Sequence, residues 1–392
     1  MQSAEASADA PPTRPTRILL VAADPGLTLG SQGGAGTHLR GTIDALRKQG
    51  LVVEAVVGTP ESDTANPVFA QRPRPLLRRI VPKHPKLLGR DVRLLLHARS
   101  FPRDLAAGFD CVYERSSYLQ DSGLRAARAA NVPYILETDA NLVEYRRDTW
   151  GVALPRLAQR FERRKEGAAD LVVVLTQAVR NYLVERSGLE PARVLVKGLG
   201  VECELFQQPR KPLPERPAVG FAGTFQPYHG VDLLLCAWPH FRGTPPALRL
   251  VGDGPRRNEL QAEAERLGIA ATFTGMVERD RSLATLSDCS VLVIPDSSPY
   301  IYPIKLLEYA ALGRPVVCPD YPAFDEFDRG QGNTLYRFEP HNPGALARAI
   351  EQALAAGVDD RVERLAALVA DEYTWDAVGA RLAARIRALV RT

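Results

Sequence analysis

Short apolar runs alternate with amphipathic segments along nearly the whole chain, and this alternation limits the fold more than any other property of the sequence. Such a pattern predicts parallel sheets flanked by helices. In the first half the strand candidates are Ile18–Ala22, Val52–Val57, Cys111–Tyr113, Tyr134–Leu136, Leu171–Leu175 and Val194–Val196. Helical patterns lie between them at Thr37–Gln49, Gly123–Ala130, Leu157–Ala169 and Thr176–Arg186. The second half offers strands at Ala218–Ala222, Leu248–Val251, Thr272–Thr274, Val291–Pro295, Pro315–Cys318 and Leu335–Phe338. Its helices include Gly230–Trp238, Arg256–Leu267, Arg281–Ser287, Ile304–Leu312, Pro343–Ala356 and a last one at Trp375–Val390.

A Pro-rich polar stretch, Gln207–Pro217, breaks the pattern and reads as a linker. At 392 residues the chain exceeds what one core supports, so two domains facing a cleft are expected. No fixed-period repeat points to a solenoid, which leaves two doubly wound α/β domains. The boundaries read as a disordered leader over 1–15, a first domain over 16–206, the linker over 207–217, a second domain over 218–374 and a final helix over 375–392.

With 45% hydrophobic and 24% charged residues, neither a disordered nor a membrane-spanning class fits, and no apolar run approaches the ~18 residues of a spanning helix. A net charge of +4 is too small to argue for nucleic acid as a partner. Its distribution says more. Arg72, Arg74, Arg78, Arg79, Lys83, Lys86, Arg90, Arg93, Arg99 and Arg103 share one stretch, opposed only by Asp91 and Asp104. The plain reading is a solvated face; the sharper ones are docking of an acidic acceptor or peripheral contact with anionic lipid. Cys111, Cys203, Cys236, Cys289 and Cys318 are odd in number and set in apolar contexts, as buried cytosolic thiols are. The N-terminus lacks the layout of a signal peptide, so a cytoplasmic location is expected.

The richest segment is Pro299–Val317. A polar turn runs into a short helix carrying Lys305 and then Glu308, with Gly313-Arg314-Pro315 as stop signals before a strand. A helix start offers backbone N–H groups to an anion, and a carboxylate one turn later can grip a sugar hydroxyl. Strand Ala218–Ala222 leads into Gly223-Thr224 and on to His229-Gly230, where Thr224 and His229 can bond phosphate oxygens, His229 more strongly when protonated. A plain strand-to-helix connection with a capping Thr224 is the alternative. Gly252-Asp253-Gly254-Pro255 ends another strand and is also an ordinary turn sequence. In the first half, Gly33, Gly34 and Gly36 precede a helix. Too long a gap from the strand, and Leu39 where a third glycine belongs, exclude a dinucleotide fingerprint. His38 is either a packing residue or a ligand contact. Glu114-Arg115 and Glu137-Thr138-Asp139-Ala140-Asn141 put polar groups beyond two strands. Glu114 with Arg115 is either acceptor-facing or a structural ion pair, and Asp139 is the better candidate for direct sugar contact.

Taken together, the Gly33-Gly34 loop, Ala169-Asp170, Gly200-Val201-Glu202 with Phe206, Gly223–Gly230, Gly252–Pro255, Phe273-Thr274-Gly275 and the segment around Glu308 resemble the retaining glycosyltransferases of the GT-B fold, family 4. The resemblance implies two Rossmann-like domains, an acceptor held by the first, a nucleotide held by the second and a final helix crossing back. It implies that Glu308 binds the ribose, that the backbone at Ile304–Leu306 meets the diphosphate, that Met276 and Val277 lie against the base, and that Gly33 and Gly34 close on the donor phosphate. Gly223, Gly252 and Tyr302 complete the donor side; Glu114, Arg115, Glu137 and Asn141 are the acceptor side. The sequence departs from the family where Thr224 and His229 replace an Arg and a Lys, where Tyr300 replaces the first of two paired glutamates, and where Asp139 replaces a His.

The implied reaction moves a sugar from a nucleotide diphosphate-sugar, UDP favoured and GDP next, to a hydroxyl of a natural product or glycan with retained configuration. His229, Thr224, Lys305 and Asp139 are the candidate catalytic residues. No Asp-X-Asp signature lies near a strand end, so no obligatory metal or cofactor is expected. A GT-B epimerase or phosphorylase, or a non-catalytic sugar-nucleotide-binding subunit, is the alternative.

Overall fold

The structure is a computed structural model and describes residues 14–30, 34–58, 83–139, 151–297, 299–328 and 332–391. Its strands form two six-stranded sheets. The first contains β1 (Arg17–Ala22), β2 (Val52–Val57), β3 (Cys111–Arg115), β4 (Tyr134–Glu137), β5 (Leu171–Val174) and β6 (Val194–Val196), in the order β2-β1-β3-β4-β5-β6. The second contains β7 (Ala218–Ala222), β8 (Ala247–Val251), β9 (Ala271–Phe273), β10 (Val291–Val293), β11 (Val316–Pro319) and β12 (Tyr336–Phe338), in the order β12-β11-β10-β7-β8-β9. Read from β9, that is the doubly wound order 3-2-1-4-5-6, and every strand pairing whose register is described is parallel. The α/β class read from the alternating pattern is therefore the observed one.

By contacts the described residues divide into two compact units: those within 1–173, 192–195 and 379–392 form one, and those within 174–191 and 196–378 the other. The sequence reading carried the first domain to 206. Instead, 196–206 pack with the second unit, because Val201, Leu205 and Leu199 enter its core.

In the first unit, Ile18, Leu20, Cys111, Tyr113 and Ile135 of the sheet pack with Leu39, Ile43 and Leu46 of the helix Gly34–Lys48 and with Leu382, Ala383 and Ile386 of the helix Trp375–Val390. Helix Lys83–Ser100, not anticipated as an element, turns Leu94 and Leu95 toward Tyr118 and Leu119. Asp91 on that helix is fully buried, accepting from Tyr118 Oη at 3.0 Å and from the Ala153 and Leu154 amides. One of the two acids in the basic stretch is thus an interior acceptor. Arg90 serves the same corner through Asp91 and the Gly151 carbonyl.

In the second unit both sheet faces are covered, as a parallel sheet requires. Val219, Phe221, Leu248, Leu250, Val291 and Val293 face Leu234, Leu235, Ile350 and Ala353. Ala218, Val251, Leu292 and Ile294 face Leu306, Leu307, Tyr309, Phe324 and Val369. Helix Pro343–Ala356 shows the local logic: Asn342 caps it by accepting from the Ala345 amide, Pro343 takes the first position, and Gly357 with φ +62° ends it. Buried Cys111, Cys289 and Cys318 match the thiol reading, whereas Cys236 is exposed and Cys203 half-buried.

Candidate active site

In the second sheet the strand order reverses between β7 and β10, and the loops beyond β7 and its neighbours hold most of the residues singled out above. In open α/β sheets this switch point is where ligands bind. Backbone bonds lace three adjacent strand ends together: the Gly223 amide donates to the Val251 carbonyl at 2.9 Å, and the Gly252 amide to the Gly275 carbonyl at 3.2 Å. The packing leaves no room for side chains. A Cβ on Gly252, whose φ is +121°, would stand 2.0 Å from the Gly223 carbonyl oxygen, and one on Gly254 would stand 1.9 Å from that of Thr224. Thr224 is half-buried, with its carbonyl against Gly254.

Gly223 marks the point where two nitrogens converge. A Cβ there would lie 3.0 Å from Lys305 Nζ and 3.1 Å from His229 Nδ1. Lys305 is buried with its ammonium 4.2 Å from the Phe221 ring centroid, a cation–π placement. Burial pulls its pKa down to about 7, with Glu308 acting the other way. His229 Nδ1 is buried and has no hydrogen-bond partner among the described residues. Burial, and then the nearby Lys305, bring the imidazole down to about 2. From the sequence, His229 has a stronger hold on phosphate when protonated; in the folded protein the ring is neutral at ordinary pH, and of the two nitrogens it is Lys305 that can carry the positive charge.

Glu308 follows one turn along the helix Lys305–Ala311. Its Oε1 accepts from Arg279 Nε at 3.2 Å and Nη2 at 3.0 Å, and the same Nη2 donates to Glu202 Oε2 at 2.6 Å. Burial raises the Glu308 pKa against the pull of Arg279. Of the three amides expected to face a diphosphate, that of Leu306 donates to the Pro303 carbonyl at 3.0 Å, which leaves Ile304 and Lys305 as candidates. Tyr302 is fully buried, with its hydroxyl accepting from the Leu199 amide at 3.0 Å and its ring packed on Phe327 and Tyr373. Its side chain is enclosed in the core rather than presented to a ligand. Met276 is 71% exposed and Val277 half-buried on the loop after β9.

The acceptor-side candidates lie in the first unit. Glu137 is buried, accepting from Tyr113 Oη and paired with His38 Nε2 at 2.8 Å, so His38 packs in the interior. Glu114 is also buried. Its Oε2 accepts from Tyr134 Oη at 2.6 Å and from the Leu124 amide at 3.0 Å, while burial raises its pKa against the opposing charge of Lys165. Those groups, rather than Arg115, are its partners, and it fastens the start of helix Ser122–Ala130 to β3. Arg115 and Asp139 are half-buried at the ends of β3 and beyond β4. Gly34 opens its helix at the surface; Gly33 and Asn141 lie outside the described residues.

Residues 33–200 match the model described as glycosyl transferase 4-like domain, and residues 216–356 the one described as glycosyl transferases group 1. This chain belongs to the group 1 glycosyltransferases of the GT-B, family 4 type. It is similar to a phosphatidyl-myo-inositol mannosyltransferase from Propionibacterium freudenreichii, 27% identical over 58% of this chain and 59% of the relative. It is also similar to a D-inositol 3-phosphate glycosyltransferase from Acidothermus cellulolyticus, 30% identical over 53% and 51%. The chain thus spans between half and three-fifths of the length of these curated relatives. Among solved structures, sucrose-phosphate synthase from Thermosynechococcus elongatus aligns with TM-score 0.70 at 20% identity, over 96% of this chain and 99% of that one. The Anabaena protein HepE in complex with UDP aligns with TM-score 0.65 at 17% identity, over 95% and 100%. At such identities the likeness is one of fold.

Two residues that the geometry brings to this site carry no motif in the sequence. Arg279 carries no motif; only its contact with Glu308 and Glu202 reveals it. Tyr309 looks like another apolar helix residue, yet its hydroxyl accepts from the Ala222 amide at 3.0 Å and ties the helix to the end of β7. A buried Tyr needs such a partner, and that requirement was the available signal.

Proposed function

We propose that this glycosyltransferase moves a sugar from a UDP-sugar, or next from a GDP-sugar, to a hydroxyl acceptor with retention of configuration. The observation that carries this reading is the convergence of Lys305 Nζ and His229 Nδ1 at Gly223, one helical turn from Glu308. A diphosphate seated against Gly223 meets a cation, an imidazole and the start of a helix, while Glu308 accepts from the ribose. Negative charge grows on the diphosphate as the sugar–oxygen bond breaks, and donors already aimed at it lower the barrier without reorganising. In a same-face reaction the leaving phosphate oxygen takes the acceptor's proton, so no protein base is needed. The UDP and UDP-glucose complexes of the Anabaena neighbour support the choice of nucleotide.

Both curated relatives carry inositol in their printed activity, which supports a cyclitol or comparable small polyol natural product as acceptor. Catalysis without an obligatory metal belongs to the same reading, and turnover that persists in excess chelator is its test. Helix Lys83–Ser100 exposes Leu88, Val92 and Leu96 at spacings of four, beside exposed Lys86, Arg93 and Arg99. That surface supports peripheral contact with anionic lipid from the cytoplasmic side. Co-sedimentation with phosphatidylglycerol vesicles but not with phosphatidylcholine vesicles is the expected result. A panel of UDP-, GDP- and dTDP-sugars in thermal unfolding tests the donor, since only a ligand of the folded state raises the midpoint. Glu308→Ala should abolish the UDP shift, and an unchanged shift removes the ribose assignment.

A further inference from the structure

We propose that Arg279 is a positioning residue that aims Glu308 at the ribose of the donor nucleotide and holds it ionised, with Glu202 as the tether that fixes the guanidinium. This rests on the reading of Glu308 as the ribose ligand. Arg279 opens the helix Arg279–Ser287, Glu202 precedes the short helix Glu204–Gln207, and Glu308 lies on the helix Lys305–Ala311, so three segments remote in sequence meet at one side chain. Two N–H groups of one planar guanidinium converging on a single carboxylate oxygen fix the position of that oxygen. They spend Oε1 and leave Oε2, which accepts no protein hydrogen bond among the described residues, as the atom turned to a ligand. A lysine would supply the charge but not the planar fork.

The charge matters as much as the geometry. Glu308 is largely buried, which favours its neutral form, and the charged groups facing it are Arg279 and Glu202 from other segments and Lys305 from its own helix. Arg279 is the leading group that opposes burial, followed by Lys305, whose own ammonium is weakened by burial. Without Arg279 the carboxyl takes up its proton at higher pH, and a protonated carboxyl is a poorer acceptor for hydroxyl groups.

The test is calorimetric titration with UDP between pH 5.5 and 8. Glu308→Ala should weaken UDP binding at every pH, which checks the ribose reading by itself. Arg279→Met should weaken UDP on the order of tenfold at pH 7, the size of one lost charge-assisted hydrogen bond. It should also make affinity fall further as pH drops, over a range where the wild type changes less. Arg279→Lys should recover the pH profile but not the full affinity, and Glu202→Gln should show a smaller loss of affinity. If Glu308→Ala is impaired while Arg279→Met binds UDP with wild-type affinity and pH profile, the positioning role is overturned and the ribose reading stands. If Glu308→Ala binds normally, both fall. Should Arg279→Met not fold, wild-type affinity in both Arg279→Lys and Glu202→Gln overturns the proposal.

Discussion

Lys305 gives up its hydration on folding, and its pKa near 7 against an ordinary 10.5 is a statement about stability as well as about charge. Between those two values the unfolded chain binds the proton and the folded chain does not, so stability rises as pH climbs from about 7 toward 10.5. Lys305→Met should flatten that slope in thermal unfolding measured across the same window; an unaltered slope would place its origin elsewhere. A diphosphate reverses the preference. UDP binding above pH 7 should therefore take up a proton, seen as a calorimetric enthalpy that varies with the ionisation heat of the buffer, and affinity should decline with rising pH. His229 sits beside it as a neutral ring, so on the proposed reading it would offer the diphosphate a hydrogen bond and not a charge. His229→Gln should accordingly retain more turnover than His229→Ala, with both variants folded, and equal losses would assign the ring to packing. Glu308 and Lys305 could be singled out from the sequence because they fall one turn apart ahead of a recognisable stop signal. Arg279 could not, since what distinguishes it is a contact between segments far apart along the chain.

The loops after β7 and β8 act as one element because their backbones touch. Gly252→Ala needs a side chain where the Gly223 carbonyl oxygen already stands and at a φ of +121°, so it should cost more than about 2 kcal/mol in denaturant unfolding and weaken UDP binding with it. Gly34→Ala is the contrast: nothing among the described residues lies within 4 Å of the added carbon, and stability should be nearly unchanged. In sequence, the Gly-Asp-Gly-Pro turn was among the weakest signals, indistinguishable from an ordinary turn. What distinguishes it is strand order, because β8 is the neighbour of β7 in the sheet and brings the two glycine loops together. Adjacency of that kind has no local signature. The same limit explains Glu114 and Glu137, which look like site carboxylates at strand ends but fasten interior elements through Tyr134, Leu124, Tyr113 and His38.

At the scale of the molecule, the class of both sheets was legible from the alternation of apolar and amphipathic segments, and most strands begin and end within a residue or two of their sequence positions. The division of the chain was less so. The Pro-rich stretch 207–217 is conspicuous, but the packing changes hands near 174, 191, 196 and 378, at places where composition does not shift. The first unit's core includes Leu382 and Ile386, and a Cβ on Gly379 would stand 2.8 Å from the Ala45 carbonyl oxygen, so the last helix seats directly on the first one. Each of those two large side chains contributes about 2 kcal/mol by leaving water. A ribosome delivers β1 some 360 residues before it delivers Ile386. The first unit to emerge is therefore the last to be finished, and throughout the synthesis of the second its apolar face stays open to chaperones and to neighbouring nascent chains. Release of a chain stopped at Val378 should yield protein that binds a hydrophobic dye and aggregates, whereas the full chain should do neither.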